Sequence, residues 1–204
     1  MKQRVDDESN EQPTTKEIIL SEALALFAEK GYEGTTVQDI AKAVGIKAAS
    51  LYAHYSGKDG IFRAVFAQAA DSWAKVMEAS FAEARKAASL EDGITAVIAR
   101  YVNHAAGANT YRFWARLYVF PPQVMRKMDF QLIAEFDARF EESLAGFCSA
   151  MGGADAQGRH PTVLLQALTR LSWGFVLCDS QGDLEKLDTE IRGSVRLLLR
   201  GFLS

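Results

Sequence analysis

Between residues 36 and 58 the chain sets a hydroxyl (Thr36), an amide (Gln38), an ammonium (Lys47), a second hydroxyl (Ser50), a phenol (Tyr52), an imidazole (His54) and a second ammonium (Lys58) at short intervals. All are donors of the kind that hold phosphate oxygens or read the edges of bases. A glutamine pairs with adenine and a lysine with guanine, while alanine methyls such as those of Ala48 and Ala49 can meet a thymine methyl.

Covalent chemistry has no comparable candidate. No Glu-x-x-His or His-x-x-Glu surrounds any of the 3 histidines, which argues against a carboxylate-bridged metal site in a helical bundle. There is no GxSxG and no GxGxxG, and the pair Gly57-Lys58 is followed by Asp59 and lacks the glycine of a phosphate-binding loop. Cys148 and Cys178 stand far apart with no CxxC and no nearby histidine, so they read as small buried hydrophobes rather than as a zinc or dithiol site. No catalytic residue, metal or cofactor is expected.

The elements that position the donors follow from spacing. Leu20, Ala23, Leu24, Phe27 and Ala28 recur at three- and four-residue steps, which predicts a first helix. Thr14 with Glu17 gives it a capping box and Gly31 a stop. A shorter second helix is predicted after Thr36, which forms a capping box with Asp39; its apolar face is Val37, Ile40, Ala41 and Val44, and it ends at Gly45. A third helix is expected from Ala48 to His54, with Leu51 and Tyr55 inward. After the break at Ser56-Gly57-Lys58 a long fourth helix carries Ile61, Phe62, Val65, Phe66, Ala69, Trp73, Val76, Met77 and Phe81 on one side. Helical segments follow at about 91 to 106, 110 to 119, 123 to 150, 162 to 179 and 184 to 203. No stretch alternates like a strand, and the fold class is all-α.

Two short helices joined by so tight a turn have the spacing of a helix-turn-helix. Close crossing needs a small residue at the fifth position, here Ala41, and the turn needs φ > 0 at the ninth, here Gly45. Ile40, Val44, Ile46 and Leu51 are apolar where the pair must lock together. An αα-corner inside a larger helical protein shares those features, but it does not call for an outward face of small, polar and aromatic residues on the third helix, Lys47, Ala48, Ala49, Ser50 and Tyr52. A helix with such a face can sit deep in the major groove.

On these residues the sequence resembles the TetR family of one-component transcriptional repressors. The resemblance runs over the whole chain and is most specific from Thr14 to Phe66: Ile19 through Phe27, Gly31-Tyr32, Thr35-Thr36, Asp39-Ile40-Ala41, Gly45-Ile46, Ser50-Leu51-Tyr52, His54-Tyr55 and Lys58. It implies a three-helix DNA-binding domain, a larger helical domain that binds a small-molecule effector, and a homodimer that reads a palindromic operator in double-stranded DNA. Carried over residue by residue, it puts Thr36, Tyr52, His54 and Lys58 at phosphates, and Gln38, Lys47, Ala48 and Ser50 at bases. Lys47 stands where the family commonly has a capping Ser or Thr, so that cap is expected to be missing. Ala49 stands where Gly or Pro is frequent.

Farther along, the resemblance fixes architecture and not ligand. Leu187, Ile191, Val195 and Leu198 form an apolar stripe in the last segment, and Leu168, Leu171 and Phe175 another in the one before it. By resemblance both stripes pack against a second copy of the chain, although each also suits the core of a single chain. Trp73, Tyr101, Trp114 and Tyr118, with the polar Asn103, His104, Gln166 and Arg170, are the candidates for an effector pocket lined by aromatics.

The expected organisation is a disordered tail over residues 1–13, a helix-turn-helix domain over 14–60 and an effector-binding and dimerisation domain over 61–204. Across the 204 residues, 23 Lys plus Arg stand against 26 Asp plus Glu, an acidic balance that excludes a general polyanion binder. From Thr36 to Lys58 the charges are Lys42, Lys47 and Lys58 against Asp39 alone, so the positive patch is local. The N-terminus has no apolar signal region and no segment approaches the roughly 20 apolar residues of a membrane span, so the expected location is the cytoplasm. The competing readings are a helical small-molecule-binding enzyme and a dimeric interaction protein without DNA binding; neither explains the third helix's outward face.

Overall fold

A computed structural model of the chain describes residues 13–105, 109–126, 138–139, 142–143, 145–147, 149–150, 164, 166–168, 170–171, 174–175 and 184–203. Among the described residues there is no strand, and no helix is long and apolar enough to cross a membrane. The expected tail falls on residues 1–12, outside the described residues, apart from Pro13.

Helix α1 (Thr15–Lys30) begins in the capping box that its sequence announces: the Glu17 amide donates to Thr14 Oγ1 at 3.3 Å and the Thr14 amide donates to Glu17 Oε2 at 2.7 Å. Helix α2 (Val37–Val44) repeats the device with Thr36 and Asp39, and Gly45 ends it in the left-handed region at φ 78°. That conformation is free of steric cost only for a residue without Cβ. Helix α3 (Ala48–Leu51) is shorter than its apolar pattern suggests. Beyond Leu51 the Ala53 amide turns to the Ser50 carbonyl and the His54 amide to the Leu51 carbonyl. These i→i+3 bonds wind the last residues more tightly than an α-helix.

Helix α4 (Lys58–Ala84) is 27 residues long, about 40 Å at 1.5 Å per residue, and it serves two hydrophobic clusters. Ile61, Phe62, Val65 and Phe66 join Ile19, Ala23 and Phe27 of α1, Ile40 and Ala41 of α2, and Leu51 of α3. Phe113 and Leu117 of α6 (Asn109–Val119) and Val124 of α7 (Gln123–Arg126) close this first cluster. Farther along α4, Met77, Phe81 and Ala84 meet Ile94, Val97 and Ile98 of α5 (Leu90–Ala105), together with Phe147, Leu164 and Leu168. The C-terminal helix (Leu184–Leu203) completes this second cluster with Leu187, Ile191, Val195 and Leu199.

This packing changes the reading of the C-terminal stripe. Leu168, Leu187, Ile191 and Val195 are buried within one chain, with Val195 at 0% exposure, so they serve the core of the single chain that the stripes also suited. A stripe of period 3.6 reports that one face is covered, not by which chain. Leu171, Phe175 and Leu198 are only partly buried against the same cluster. The opposite face of the C-terminal helix exposes Gly193, Leu197 and Gly201, and Leu197 is 72% exposed.

Candidate nucleic-acid interface

The α2–α3 unit is locked from inside. Ile40, Ala41 and Leu51 are buried, and the Ile46 amide donates to the Ala41 carbonyl across the turn at 3.0 Å. With these residues facing inward, helical geometry turns Gln38, Lys42, Lys47, Ala49, Ser50, Tyr52 and His54 to solvent, where all seven are exposed. Tyr52 is 61% exposed, and its phenol can donate to a phosphate oxygen. Lys47 occupies the N-cap position of α3 in an extended conformation and makes no side-chain capping bond. No side chain therefore caps the start of α3, where the Ser50 amide donates to the Lys47 carbonyl at 2.9 Å.

The remaining candidates are less free. Ala48 is half-buried and packs partly against the first cluster. Thr36 is exposed, but its hydroxyl donates to Asp39 Oδ2 at 2.6 Å while accepting from the Asp39 amide, and its own amide donates to the same carboxylate. These bonds hold the Asp39 carboxyl below the usual carboxylate range. A phosphate oxygen would have to displace Asp39 to take the Thr36 hydroxyl proton. The Lys58 ammonium donates to the Tyr32 carbonyl at 2.8 Å and lies 4.1 Å from the centre of the Tyr32 ring. It therefore spends part of its charge tying the start of α4 to the end of α1.

Two features of this joint carry no local signal in the sequence. The Tyr32 hydroxyl donates to Asp59, and burial, then that hydrogen bond, raises the phenol's pKa. Arg116 of α6 donates through Nη2 to the Glu29 carbonyl at 2.9 Å, across a sequence separation of 87 residues. Tyr55, expected inward, is half-buried with its hydroxyl buried and without a hydrogen-bond partner among the described residues; burial pushes its pKa up.

The expected effector-pocket residues are not gathered into one place among the described residues. Trp73 packs against the second cluster and Trp114 against the first, edge-on to Phe66. Gln166 and Arg170 are exposed. Leu164 and Leu168 face inward, and residues two positions away on a helix point to the other side. The side chains of Tyr101, Asn103, His104 and Tyr118 lie outside the described residues, as does Trp173.

Residues 19–65 match the tetR family of bacterial regulatory proteins. Over 48 residues the chain is 56% identical to the biofilm operon icaADBC HTH-type negative transcriptional regulator IcaR of Staphylococcus epidermidis, a stretch that makes up 24% of this chain and 26% of that protein. The match thus spans about a quarter of the curated relative's length. Among solved structures, the transcriptional regulator FadR from Bacillus subtilis in complex with stearoyl-CoA is similar with a TM-score of 0.65 and 19% identity, over 90% of this chain and 97% of that one. AibR in complex with isovaleryl coenzyme A and operator DNA gives a TM-score of 0.67 and 19% identity, over 88% of this chain and 97% of that one. At such identities the likeness shows a shared fold: an N-terminal helix-turn-helix followed by a larger helical region.

Proposed function

We propose that the chain, whose residues 19–65 match the tetR family of bacterial regulatory proteins, is a homodimeric, sequence-specific DNA-binding repressor of that family that leaves a palindromic operator when a small apolar effector binds. The observation that carries this reading is the face of α2 and α3: Gln38, Lys47, Ser50, Tyr52 and His54 are all exposed beside an uncapped helix start. In this reading residues 14–60 are the DNA-binding unit, residues 61–204 bind effector and partner, and the protein works in the cytoplasm.

The short helix α3 enters the major groove, where the small side chains of Ala49 and Ser50 let its backbone approach the bases. Gln38 and Ser50 read base edges, with Ala48 offering a methyl at the rim, and Lys47 at the start of α3 meets the groove or the phosphate beside it. Tyr52 and His54 hold phosphates on either side. Thr36 and Lys58 act first as cap and clamp, and reach phosphate only by exchanging an internal partner for an external one. The partner copy packs on Leu171, Phe175, Leu197 and Leu198, and places two recognition helices about one DNA turn apart, ~34 Å.

Helix α4 begins beside the recognition helix and runs through both hydrophobic clusters. A ligand that favours another position of α4 changes the separation of the two recognition helices, and affinity falls by the ligand's differential binding energy. FadR is bound to stearoyl-CoA and AibR to isovaleryl coenzyme A. Both support an effector with an apolar acyl group for a chain of the same fold.

The test is a binding-site selection from random duplexes with the purified chain, expected to return a palindrome. Gln38→Ala and Ser50→Ala should each change the selected bases. Lys47→Ala should lower the slope of log K against log salt by about 0.9 for each phosphate left unneutralised, or relax one base position if Lys47 reads guanine. Failure to select any duplex motif would overturn the reading.

A further inference from the structure

Where the first hydrophobic cluster reaches the surface, a cleft of about 480 Å³ opens between the end of α1, the start of α4, α6 and the Pro121-Pro122 link to α7. None of its lining residues belongs to α2 or α3. Its walls are apolar: Phe62 and Phe113 are buried at its base, and Phe120 stands at its mouth with 74% exposure. That size falls within the range of about 300–1,000 Å³ usual for small-molecule sites. An exposed phenylalanine over such a hollow is surface that an apolar body would cover.

The charges of the cleft are uneven. Lys30 and Arg116 line it against the single carboxylate of Glu33. Arg116 is held in place by its bond to the Glu29 carbonyl at 2.9 Å. The turn at Gly31 makes room for it: a Cβ there would come within 2.9 Å of Arg116 Nη1, and φ is +76°. A guanidinium carries five N–H donors in a planar fork, and only Nη2 has a hydrogen-bond partner among the described residues. The remaining donors match the two oxygens of a carboxylate.

We propose that this cleft is a second small-molecule site, one that takes a compact apolar carboxylate with its anion on Arg116 and Lys30 and its body against Phe113 and Phe120. The site needs neither DNA nor the effector of the helical domain. Its occupant would bridge α1 and α6, the two elements that Arg116 already joins.

The experiment is a calorimetric titration of the full chain, free of DNA, with 1-naphthoate and with the neutral 1-naphthamide. Saturable binding of one naphthoate per chain is expected, about tenfold tighter than the amide, as follows from a charge-assisted hydrogen bond. Arg116→Gln should weaken naphthoate at least about tenfold while leaving the amide nearly unchanged. Gln123→Glu, which adds a carboxylate at the exposed rim without touching the Arg116 bond, should weaken naphthoate several-fold and spare the amide, which separates anion recognition from any loss of fold in the first variant. Equal affinity for acid and amide, indifference of naphthoate to both variants, or no saturable binding up to millimolar concentration would each overturn the proposal.

Discussion

The two halves of the molecule use their cations in opposite ways. Along α4, α5 and the C-terminal helix, three arginines pair with carboxylates of the same chain. Arg192 bonds Asp92 at 2.6 Å, Arg196 bonds Glu91 at 2.8 Å through Nη2 and again through Nε, and Arg139 bonds Glu78 at 2.9 Å. On the α2–α3 face, Lys42 and Lys47 are exposed with no carboxylate partner among the described residues, and the nearby Asp39 is engaged with Thr36. A chain with net charge -3 thus keeps unneutralised positive charge where an external anion can approach. Specificity on such a surface rests on geometry and base contacts more than on bulk attraction.

The sharpest way to break this division of labour is at the C-terminal helix, where neighbouring positions face inward and outward. Val195→Asp buries a carboxylate without a partner in the second cluster. It should cost about 4 kcal/mol or more, enough to unfold much of a marginally stable domain. Leu197→Asp, two residues on and 72% exposed, should leave the fold of the single chain intact by circular dichroism while halving the mass measured by light scattering. A Val195→Asp chain that stays folded and merely becomes monomeric would return that residue to the contact between copies.

The same contrast explains what the sequence reveals. Thr14 with Glu17, Thr36 with Asp39 and the positive φ at Gly45 are decided within four residues, so local chemistry announces them and the structure contains them. The exposed face of α2–α3 follows, because once Ile40, Ala41 and Leu51 turn inward the rest of two short helices has nowhere else to point. The C-terminal region depends instead on partners far along the chain. Periodicity finds the face of Leu187, Ile191 and Val195 correctly but is silent on whether α5 or a second copy covers it. Nor can spacing reveal that Arg116 reaches the Glu29 carbonyl or that Lys58 lies on the Tyr32 ring. Trp73 and Trp114 look alike in the sequence, yet they belong to different clusters because α4 carries one core at each end.

Lys58 stands on the line between the two uses of charge, and its substitution sharpens the comparison. As an internal clamp, with a hydrogen bond to the Tyr32 carbonyl and its charge near the Tyr32 ring, its removal in Lys58→Ala should lower unfolding free energy by about 1–2 kcal/mol. The accompanying change in the salt slope of DNA binding should be smaller than that for Lys47→Ala. A stability unchanged in urea with a slope reduced by about 0.9 per phosphate would instead make Lys58 a phosphate ligand.

The smallest expected effect lies in the ion pairs that join the C-terminal helix to α5. The Arg196 guanidinium hydrogen-bonded to Glu91 holds that carboxyl below its usual range. A carboxylate whose pKa is lower in the folded state contributes stability that is fully present above its unfolded value. The contribution is lost as pH falls through the folded value. Arg196→Gln should therefore lower the urea midpoint slightly at pH 7, and the gap to the parent should close as pH falls below the ordinary carboxylate range near pH 4. Added salt should narrow the gap at pH 7 as well, because both partners are at the surface and screened. A gap that persists at low pH and high salt would mean that Arg196 acts through the packing of its methylene stem on α5, and that charge is not what separates the two halves at that contact.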